Sequence, residues 1–213
     1  MDKKYWNRYY INHGQDKGII VQSSFSEFCE KKYFHEKELN IVELGSGNGR
    51  DAIYFAHQGH QVVAIDQSTT AIDMERSKIS LVVNHNLIPI AADFVKDDFN
   101  FNMVIDAFYS RFTVHAISKE DEDYLLPKVY NALDDDGLFC IEVRTTKDPL
   151  YGVGKYCGDN IYLTDHKRRF IDSDEFIKTI LKIGFEIVYL TEENNLSIYK
   201  EDNPVLMRII LKK

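Results

Sequence analysis

The hydrophobic positions of the chain follow two periodicities that alternate along its length. Runs rich in β-branched and aromatic residues predict strands. These runs lie at 40–44, 61–66, 87–94, 101–109, 138–144, 185–190 and 204–213. Between them, apolar residues spaced three and four apart predict helices, with serine caps at Ser23 and Ser118 and another start near Gly49. This alternation predicts an α/β fold, a doubly wound and mostly parallel sheet, and the adjacent closing strands predict an antiparallel last strand.

Two segments depart from the alternation. The aromatic N-terminus, which contains Tyr5 and Tyr9, is either a flap that closes over a bound ligand or a helix packed on the sheet edge. We predict the flap, within residues 1–36. The stretch 145–170 fits neither periodicity, and because long irregular segments in compact domains are often functional, we predict that it is a substrate loop. We expect these segments to belong to one domain over residues 1–213.

Composition narrows the class of protein. Of the 213 residues, 44% are hydrophobic and 28% are charged, which is typical of a soluble globular domain. The net charge of −8 disfavours nucleic acid and anionic membranes as partners. No apolar run approaches the ~20 residues that span a bilayer. The odd number of cysteines, three, favours a reducing cytoplasm. A small molecule is therefore the expected substrate.

The turn after the first predicted strand has the strongest chemical signal. Gly45, Gly47 and Gly49 are spaced G-x-G-x-G, whereas the dinucleotide fingerprint is G-x-G-x-x-G. Glu43 precedes the turn and would repel a pyrophosphate, but it suits a ligand with an ammonium group. Asp66, at the end of the second strand, is placed to accept hydrogen bonds from ribose hydroxyls. The spacing therefore predicts a nucleoside with an amino-acid tail.

That ligand is S-adenosylmethionine, and these motifs resemble those of the class I methyltransferases that use it. The similar segments are "VELGSGNG", "VVAIDQS", "AADF", "DAFYSRFTVHAI" and "ALDDDGLFCIEVR", in the family's order over nearly the whole chain. Within the family, the chain is similar to tellurite-resistance-like methyltransferases and to those of bacterial surface-polysaccharide pathways. The resemblance implies a Rossmann-like, seven-stranded sheet and S-adenosylmethionine as cofactor.

Spacing and resemblance together assign a set of cofactor-binding residues. They are Glu43, Gly45, Ser46, Gly47, Asp51, Asp66, Gln67, Asp93, Phe94, Tyr109 and Ser110. Four of these have structural alternatives, and Asp66, taken alone, could be a helix cap. Asp51 either neutralises the cofactor's ammonium or stabilises a helix N-terminus, and Asp93 either contacts the adenine or is a turn residue. Tyr109 either shapes the path of the methyl group or is an aromatic residue of the core.

The acceptor side of the site is less defined. His115 and His166 are the candidate catalytic bases, although a single histidine is often structural. The predicted substrate-binding residues are Tyr5, Tyr9, Arg111, Arg144, Arg168 and Arg169. Arginine's planar fork suits phosphate and carboxylate, so these arginines predict a small anionic acceptor, unless they pair with surface acids.

Other classes fit the sequence less well. The Pro-Cys pair of cytosine-carbon methylation and the Asn or Asp with two prolines of DNA amino-methylation are missing, as are a P-loop and zinc-type spacing, so we expect no metal. A dehydrogenase fails on glycine spacing. We therefore predict a small-molecule O- or N-methyltransferase, with a non-catalytic S-adenosylmethionine-binding regulator or scaffold as the alternative.

Overall fold

The computed structural model describes residues 3–16, 20–78 and 86–213. Its α-helices are α1 (Lys3–His13), α2 (Ser24–Cys29), α3 (Arg50–His57), α4 (Thr69–Arg76), α5 (Lys119–Ala132) and α6 (Ser173–Ile183). Its strands are β1 (Asn40–Leu44), β2 (Gln61–Asp66), β3 (Leu87–Ala91), β4 (Ile105–Arg111), β5 (Leu133–Arg144), β6 (Lys155–Tyr156), β7 (Ile161–Leu163), β8 (Lys167–Arg169), β9 (Glu186–Glu193) and β10 (Leu206–Lys212). A π-helical turn at Glu30–Phe34 extends α2, and a 3-10 turn spans Val114–Ala116.

Seven of the strands form one sheet in the order β3-β2-β1-β4-β5-β10-β9. Strand β1 pairs in parallel with β2 and β4, and β2 pairs in parallel with β3. Strand β10 runs antiparallel to both β5 and β9. The predicted Rossmann-like sheet with an antiparallel last strand is therefore confirmed.

The chain divides into two compact units, Asp2–Tyr109 and Ser110–Lys213. In the first unit, β1 and β2 are buried on both faces, and Phe34 and Phe55 pack with ring centroids 5.6 Å apart. In the second unit, the apolar face of α5 and nearly all of β10 are buried. Each unit thus has a hydrophobic core of its own.

Some element boundaries differ from the sequence prediction. Strand β4 begins at Ile105 and not at residue 101, because Asn102 adopts a left-handed backbone conformation with φ of 53° that interrupts an extended run. Helix α5 passes through Pro127 without ending there. Strands β1 and β2 have the predicted limits.

The predicted substrate loop is more regular than its sequence indicated. Strands β6, β7 and β8 form a small antiparallel sheet within 145–170. Its register places Tyr156 opposite Tyr162, and Tyr162 opposite Arg168, so these three side chains share one face. Each strand has only two or three residues, which is too short for an alternating pattern to be recognised.

The cap of α5 gives a test of the local fold. Ser118 Oγ accepts a hydrogen bond from the Asp121 backbone N–H at 3.1 Å. Replacing Ser118 with Ala should lower the free energy of unfolding by about 1 kcal/mol, because that N–H loses its partner at the helix N-terminus. Ser118→Asp, which keeps an acceptor, should lose less. Urea denaturation measures both, and equal stability of Ser118→Ala and wild type would contradict the capping role.

Candidate active site

The glycine turn between β1 and α3 requires left-handed backbone. Gly45, Gly47 and Gly49 have φ values of 77°, 60° and 79°, which other residues adopt only with strain. The N–H groups of Gly45 and Ser46 both donate to the Ile65 carbonyl, at 2.7 and 3.0 Å. The turn is therefore fixed to the carboxyl end of β2, where α/β sheets bind ligands.

Asp66 holds the same turn through its side chain. Its carboxylate accepts from the Gly47 N–H at 3.0 Å and from the Ser68 N–H at 2.7 Å. Burial raises the pKa of Asp66 and the two backbone hydrogen bonds oppose that rise. A carboxylate has about four lone-pair positions, so Asp66 can accept further hydrogen bonds from a ligand.

Two buried polar atoms beside the turn lack protein partners. Glu43 Oε2 and Gln67 Nε2 have no hydrogen-bond partner among the residues that the structure describes. Burial, followed by the negative charges of Asp51 and Glu75, raises the pKa of Glu43 well above its usual value. Buried polar groups are normally satisfied, so these atoms indicate a missing polar ligand.

Helix α1 lies against the turn. Ser68 Oγ donates to Asn7 Oδ1 at 2.7 Å, and Asn48 Nδ2 donates to the Gly14 carbonyl at 3.0 Å. A Cβ atom on Gly47 would overlap the hydroxyl of Tyr10. The bare backbone of Gly47 thus faces a tyrosine of α1.

The two tyrosines predicted to bind substrate have other neighbours in α1. Tyr5 and Tyr9 stack on each other with ring centroids 6.3 Å apart, and each also contacts Trp6. It is Tyr10, a residue that the sequence reasoning missed, that reaches the turn. The helical spacing of Asn7, Tyr10 and Gly14 was the available signal, because residues three and four apart share one face.

Asp51 is the centre of a buried hydrogen-bond network. Its carboxylate accepts from the Ser23 N–H at 2.7 Å, the Ser23 hydroxyl at 2.8 Å, and the hydroxyls of Ser26 and Tyr109, both at 2.9 Å. These four bonds join α2, α3 and β4. The geometry therefore favours a structural role for Asp51 over contact with an ammonium group.

Tyr109 and Asp93 have surroundings that match their structural alternatives. The ring of Tyr109 is fully buried, with centroids 5.2 Å from Phe25 and 5.0 Å from Phe55. The Asp93 carboxylate accepts from the Val95 N–H at 3.0 Å, as in an Asx turn. Phe94 is buried, at 2% exposure. For Tyr109, Asp93 and Phe94, contact with the cofactor stays a prediction.

In the second unit, three of the predicted anion-binding arginines have acidic partners. Arg111 Nε lies 2.8 Å from Glu142, Arg144 pairs with Asp148 at 2.9 Å, and Arg144 also pairs with Asp202. Arg169 pairs with Glu122 at 2.5 Å and donates to two backbone carbonyls at 2.9 Å. These pairs are the structural alternative for Arg111, Arg144 and Arg169. Ser110, at the start of this unit, is buried and its Oγ has no partner among the described residues.

The two candidate bases differ in geometry. His115 Nδ1 accepts the backbone N–H of Arg144 at 3.1 Å, so the proton of the neutral ring is on Nε2. Burial, and then the positive charges of Arg144 and Arg168, lower the pKa of His115 well below its usual value. His166 Nδ1 lies 3.0 Å from the Asp165 carboxylate, and burial, followed by the positive charge of Arg168, lowers the pKa of His166.

The described residues contain neither a membrane-spanning helix nor a cluster of metal-ligand side chains. No helix within 3–16, 20–78 and 86–213 has the length and apolar character needed to cross a bilayer. Across the same residues, no three His, Cys, Asp or Glu side chains group as metal ligands.

Comparison with known proteins finds a family model for part of the chain and solved structures of the same fold. Residues 41–137 match the family model described as a methyltransferase domain. Comparison with curated proteins finds no match. Among solved structures, the chain is similar to the 1,6-didemethyltoxoflavin N1-methyltransferase of Burkholderia thailandensis, solved with S-adenosylhomocysteine, at 16% identity, TM-score 0.75, and coverage of 99% of this chain and 86% of that one.

Two further structures have the same architecture. The glycopeptide N-methyltransferase MtfA in complex with S-adenosylmethionine has 14% identity and a TM-score of 0.66, with 90% of this chain and 94% of that one covered. An S-adenosylmethionine-dependent methyltransferase of Clostridium acetobutylicum has 15% identity and a TM-score of 0.70, with 98% and 97% covered.

The chain has the fold of the class I methyltransferases, and residues 41–137 match a methyltransferase domain model. Both findings agree with the motifs, which predict S-adenosylmethionine as cofactor, and a structure of this fold holds that molecule. The residues present fit that cofactor, because Asp66 retains free acceptor capacity and Glu43 and Gln67 have unpaired polar atoms at the glycine turn.

The ribose-binding role of Asp66 gives a direct test. Asp66→Ala should weaken S-adenosylmethionine binding by about 1–3 kcal/mol, because it removes an acceptor for the ribose hydroxyls and frees the Gly47 N–H. Asp66→Asn, which keeps the shape and one acceptor oxygen, should lose less. Calorimetry measures both affinities, with circular dichroism as the folding control. Unchanged affinity in Asp66→Ala would refute the assignment.

The network around Asp51 predicts a loss of stability. Asp51→Ala should lower the free energy of unfolding by about 2–4 kcal/mol, because several buried donors lose their acceptor. Ser26→Ala removes one of the four bonds and should cost about 1 kcal/mol. Chemical denaturation compares the two variants. A loss for Asp51→Ala no larger than that for Ser26→Ala would show that the network does not hold the helices.

Proposed function

We propose that this protein is an S-adenosylmethionine-dependent methyltransferase, that it acts on a small molecule with a phosphate or carboxylate group, and that it methylates an oxygen or nitrogen atom. The observation that carries the proposal is electrostatic. The positive charges of Arg144, Arg168 and Arg169 all act on the buried ring of His115. Asp148, Asp202 and Glu122 compensate part of the charge of Arg144 and Arg169. A local cluster of guanidinium groups can still attract an anion, even in an acidic protein.

Arg168 is the arginine that we assign to the acceptor. It lies on β8 in line with Tyr156 and Tyr162, and its charge acts on both His115 and His166. Arg111, Arg144 and Arg169 are engaged by acids and carbonyls, so they support the site and fix its shape.

We assign the role of base to His166. Transfer of a methyl group to O–H or N–H displaces a proton, which needs an acceptor within reach. Nδ1 of His166 lies 3.0 Å from the Asp165 carboxylate, so the neutral tautomer that we propose carries its proton on Nδ1 and its lone pair on Nε2. Burial and the charge of Arg168 lower the pKa of His166, so the ring is neutral at neutral pH. His115 carries its proton on Nε2 and is better suited to donate a hydrogen bond to an acceptor group.

The cofactor, when bound, supplies an electrophilic methyl group on sulfur. Glu43, Gln67 and Asp66 would hold its polar ends, and the backbone of Gly45 and Gly47 would allow its close approach. Helix α1 would cover it and exclude water, which is the flap function expected for the N-terminal segment. This is supported by the contacts of Asn7 and Tyr10 with the glycine turn region.

Similar architectures support a small-molecule acceptor. The enzyme from Burkholderia thailandensis is an N1-methyltransferase, and its structure contains bound 1,6-didemethyltoxoflavin. The glycopeptide enzyme MtfA is also an N-methyltransferase. Nitrogen is therefore the first acceptor atom to test.

The test is methyl transfer from labelled S-adenosylmethionine to matched pairs of acceptors, each a phosphorylated or carboxylated compound and its neutral counterpart. Label should pass to the charged member, and inorganic phosphate should compete with it. Arg168→Ala should raise the KM for the charged acceptor about tenfold and leave cofactor affinity unchanged, since it removes a binding group for the acceptor only.

The control is Lys167→Ala, because the exposed Lys167 projects from the opposite face of the same short strand. It should leave the KM close to that of the wild type. Preference for the neutral member of each pair, or equal effects of the two variants, would overturn the anionic acceptor.

A further inference from the structure

A glutamate that no motif includes lies beneath the glycine turn. Glu75, in α4, is fully buried. Its Oε2 accepts the Ser46 hydroxyl at 2.9 Å, and a Cβ atom on Gly49 would overlap its side chain. Its Oε1 is buried and has no hydrogen-bond partner among the described residues. A carboxyl group so placed is unusual, because buried acids are normally paired.

The nearby cations are engaged elsewhere. Lys78 Nζ donates to the Asn48 carbonyl at 2.9 Å, and Arg76 lies 3.6 Å from Asp73. Burial is the largest influence on the pKa of Glu75 and, with the charge of Asp66, raises it to about 8, although the Ser46 hydrogen bond, Lys78 and Arg76 act in the opposite direction. Glu75 is therefore largely a neutral acid at pH 7.

Other buried acidic side chains surround the turn, so negative charge accumulates there when they ionise. Glu43 of β1 is raised in pKa by burial and by the charges of Asp51 and Glu75, with Arg50 acting in the opposite direction. Burial of its hydroxyl, followed by the negative charge of Asp66, raises the pKa of Tyr10 in α1, and Glu43 acts in the same direction. The groups that face the turn from β1, β2, α3 and α4 thus include four buried carboxyls: Glu43, Asp51, Asp66 and Glu75.

The positive charge of the cofactor complements this excess of carboxyl groups. S-adenosylmethionine carries a sulfonium and an ammonium against one carboxylate, so it brings net positive charge to the turn. S-adenosylhomocysteine has lost the sulfonium charge, whereas sinefungin has an amine in the place of the methylated sulfur. A buried carboxyl group ionises more readily when a cation is placed nearby.

We propose that Glu75 is the counter-charge for the cofactor, that it gives up its proton when S-adenosylmethionine binds, and that it thereby favours the charged donor over the neutral product. The inference rests on the proposed use of this turn by the cofactor. Glu75 acts through the field beneath the turn and through Ser46, as a positioning residue.

The sign of the pH dependence follows from linkage. Below about pH 8 the empty protein holds the Glu75 proton and the complex does not, so binding releases a proton. Affinity for S-adenosylmethionine should therefore rise with pH and level off above about 8. The cofactor's own α-ammonium, with a pKa of about 8, loses its proton in the same range and acts in the opposite sense. A variant without the carboxyl group is the necessary reference.

The experiment is calorimetry on the full chain between pH 6.5 and 8.5, in buffers of different ionisation enthalpy, which counts the protons released. S-adenosylmethionine and sinefungin should release up to about one proton from the wild type near pH 7, and S-adenosylhomocysteine distinctly less. Relative to Glu75→Gln, wild-type affinity for S-adenosylmethionine should rise about tenfold over the range. Glu30→Gln is the control, because Glu30 is a buried acid of the same unit that pairs with His60; it should behave like wild type.

The possible results distinguish a failure of the Glu75 inference from a failure of the proposed methyltransferase function. A wild type that binds the cofactor without releasing a proton overturns the inference even if Glu75→Gln does not fold. Equal proton release and equal pH profiles in wild type and Glu75→Gln also overturn it, with the methyltransferase function intact. Failure of the wild type to bind S-adenosylmethionine at any pH would overturn both.

Discussion

The attachment of the glycine turn to the end of β2 is the constraint on which the cofactor site depends. Three backbone N–H groups, from Gly45, Ser46 and Gly47, point at acceptors of β2, two at the Ile65 carbonyl and one at Asp66. Only positive φ values allow a chain to turn so tightly while directing successive N–H groups to one side. The residue that anchors the turn is thus the same one that we predict to accept hydrogen bonds from a ribose, so one carboxylate would serve both the fold and ligand recognition.

The two units differ in how their buried acidic groups are compensated. In the second, Glu142 lies between Arg111 and Arg208, at 2.8 and 2.6 Å, and opposite charges compensate each other. In the first, Glu43 and Glu75 are buried with an oxygen that has no partner among the described residues. Compensated buried pairs can be satisfied by the protein alone, whereas uncompensated buried charge is costly until something of the opposite sign arrives. The compensated charges of the second unit therefore indicate a structural role, whereas the uncompensated acids of the first unit indicate a ligand site.

The sequence predicted what depends on local pattern. The limits of β1 and β2 were correct because apolar runs bounded by turn residues mark buried strands, and the glycine spacing located the turn. Which side chains pair across the fold could not be predicted from local pattern. Arg144 could be placed at a strand end, but its pairing with Asp202 depends on a loop far along the chain. Glu75 reads as one polar residue of an amphipathic helix, and only the packing of α4 under the turn gives it chemical meaning.

The contrast between Tyr10 and the rest of α1 bears on how a ligand enters. No residue of α1 is buried, so the helix is attached mainly through side-chain contacts such as the bond from Ser68 to Asn7. Elements with little buried apolar surface separate at low free-energy cost. The hydroxyl of Tyr10 nevertheless occupies the space beside Gly47 that an amino-acid tail would approach. A cofactor that reaches this backbone must therefore displace the hydroxyl or hydrogen-bond with it, and weak attachment of the helix makes either change possible without disturbing the sheet.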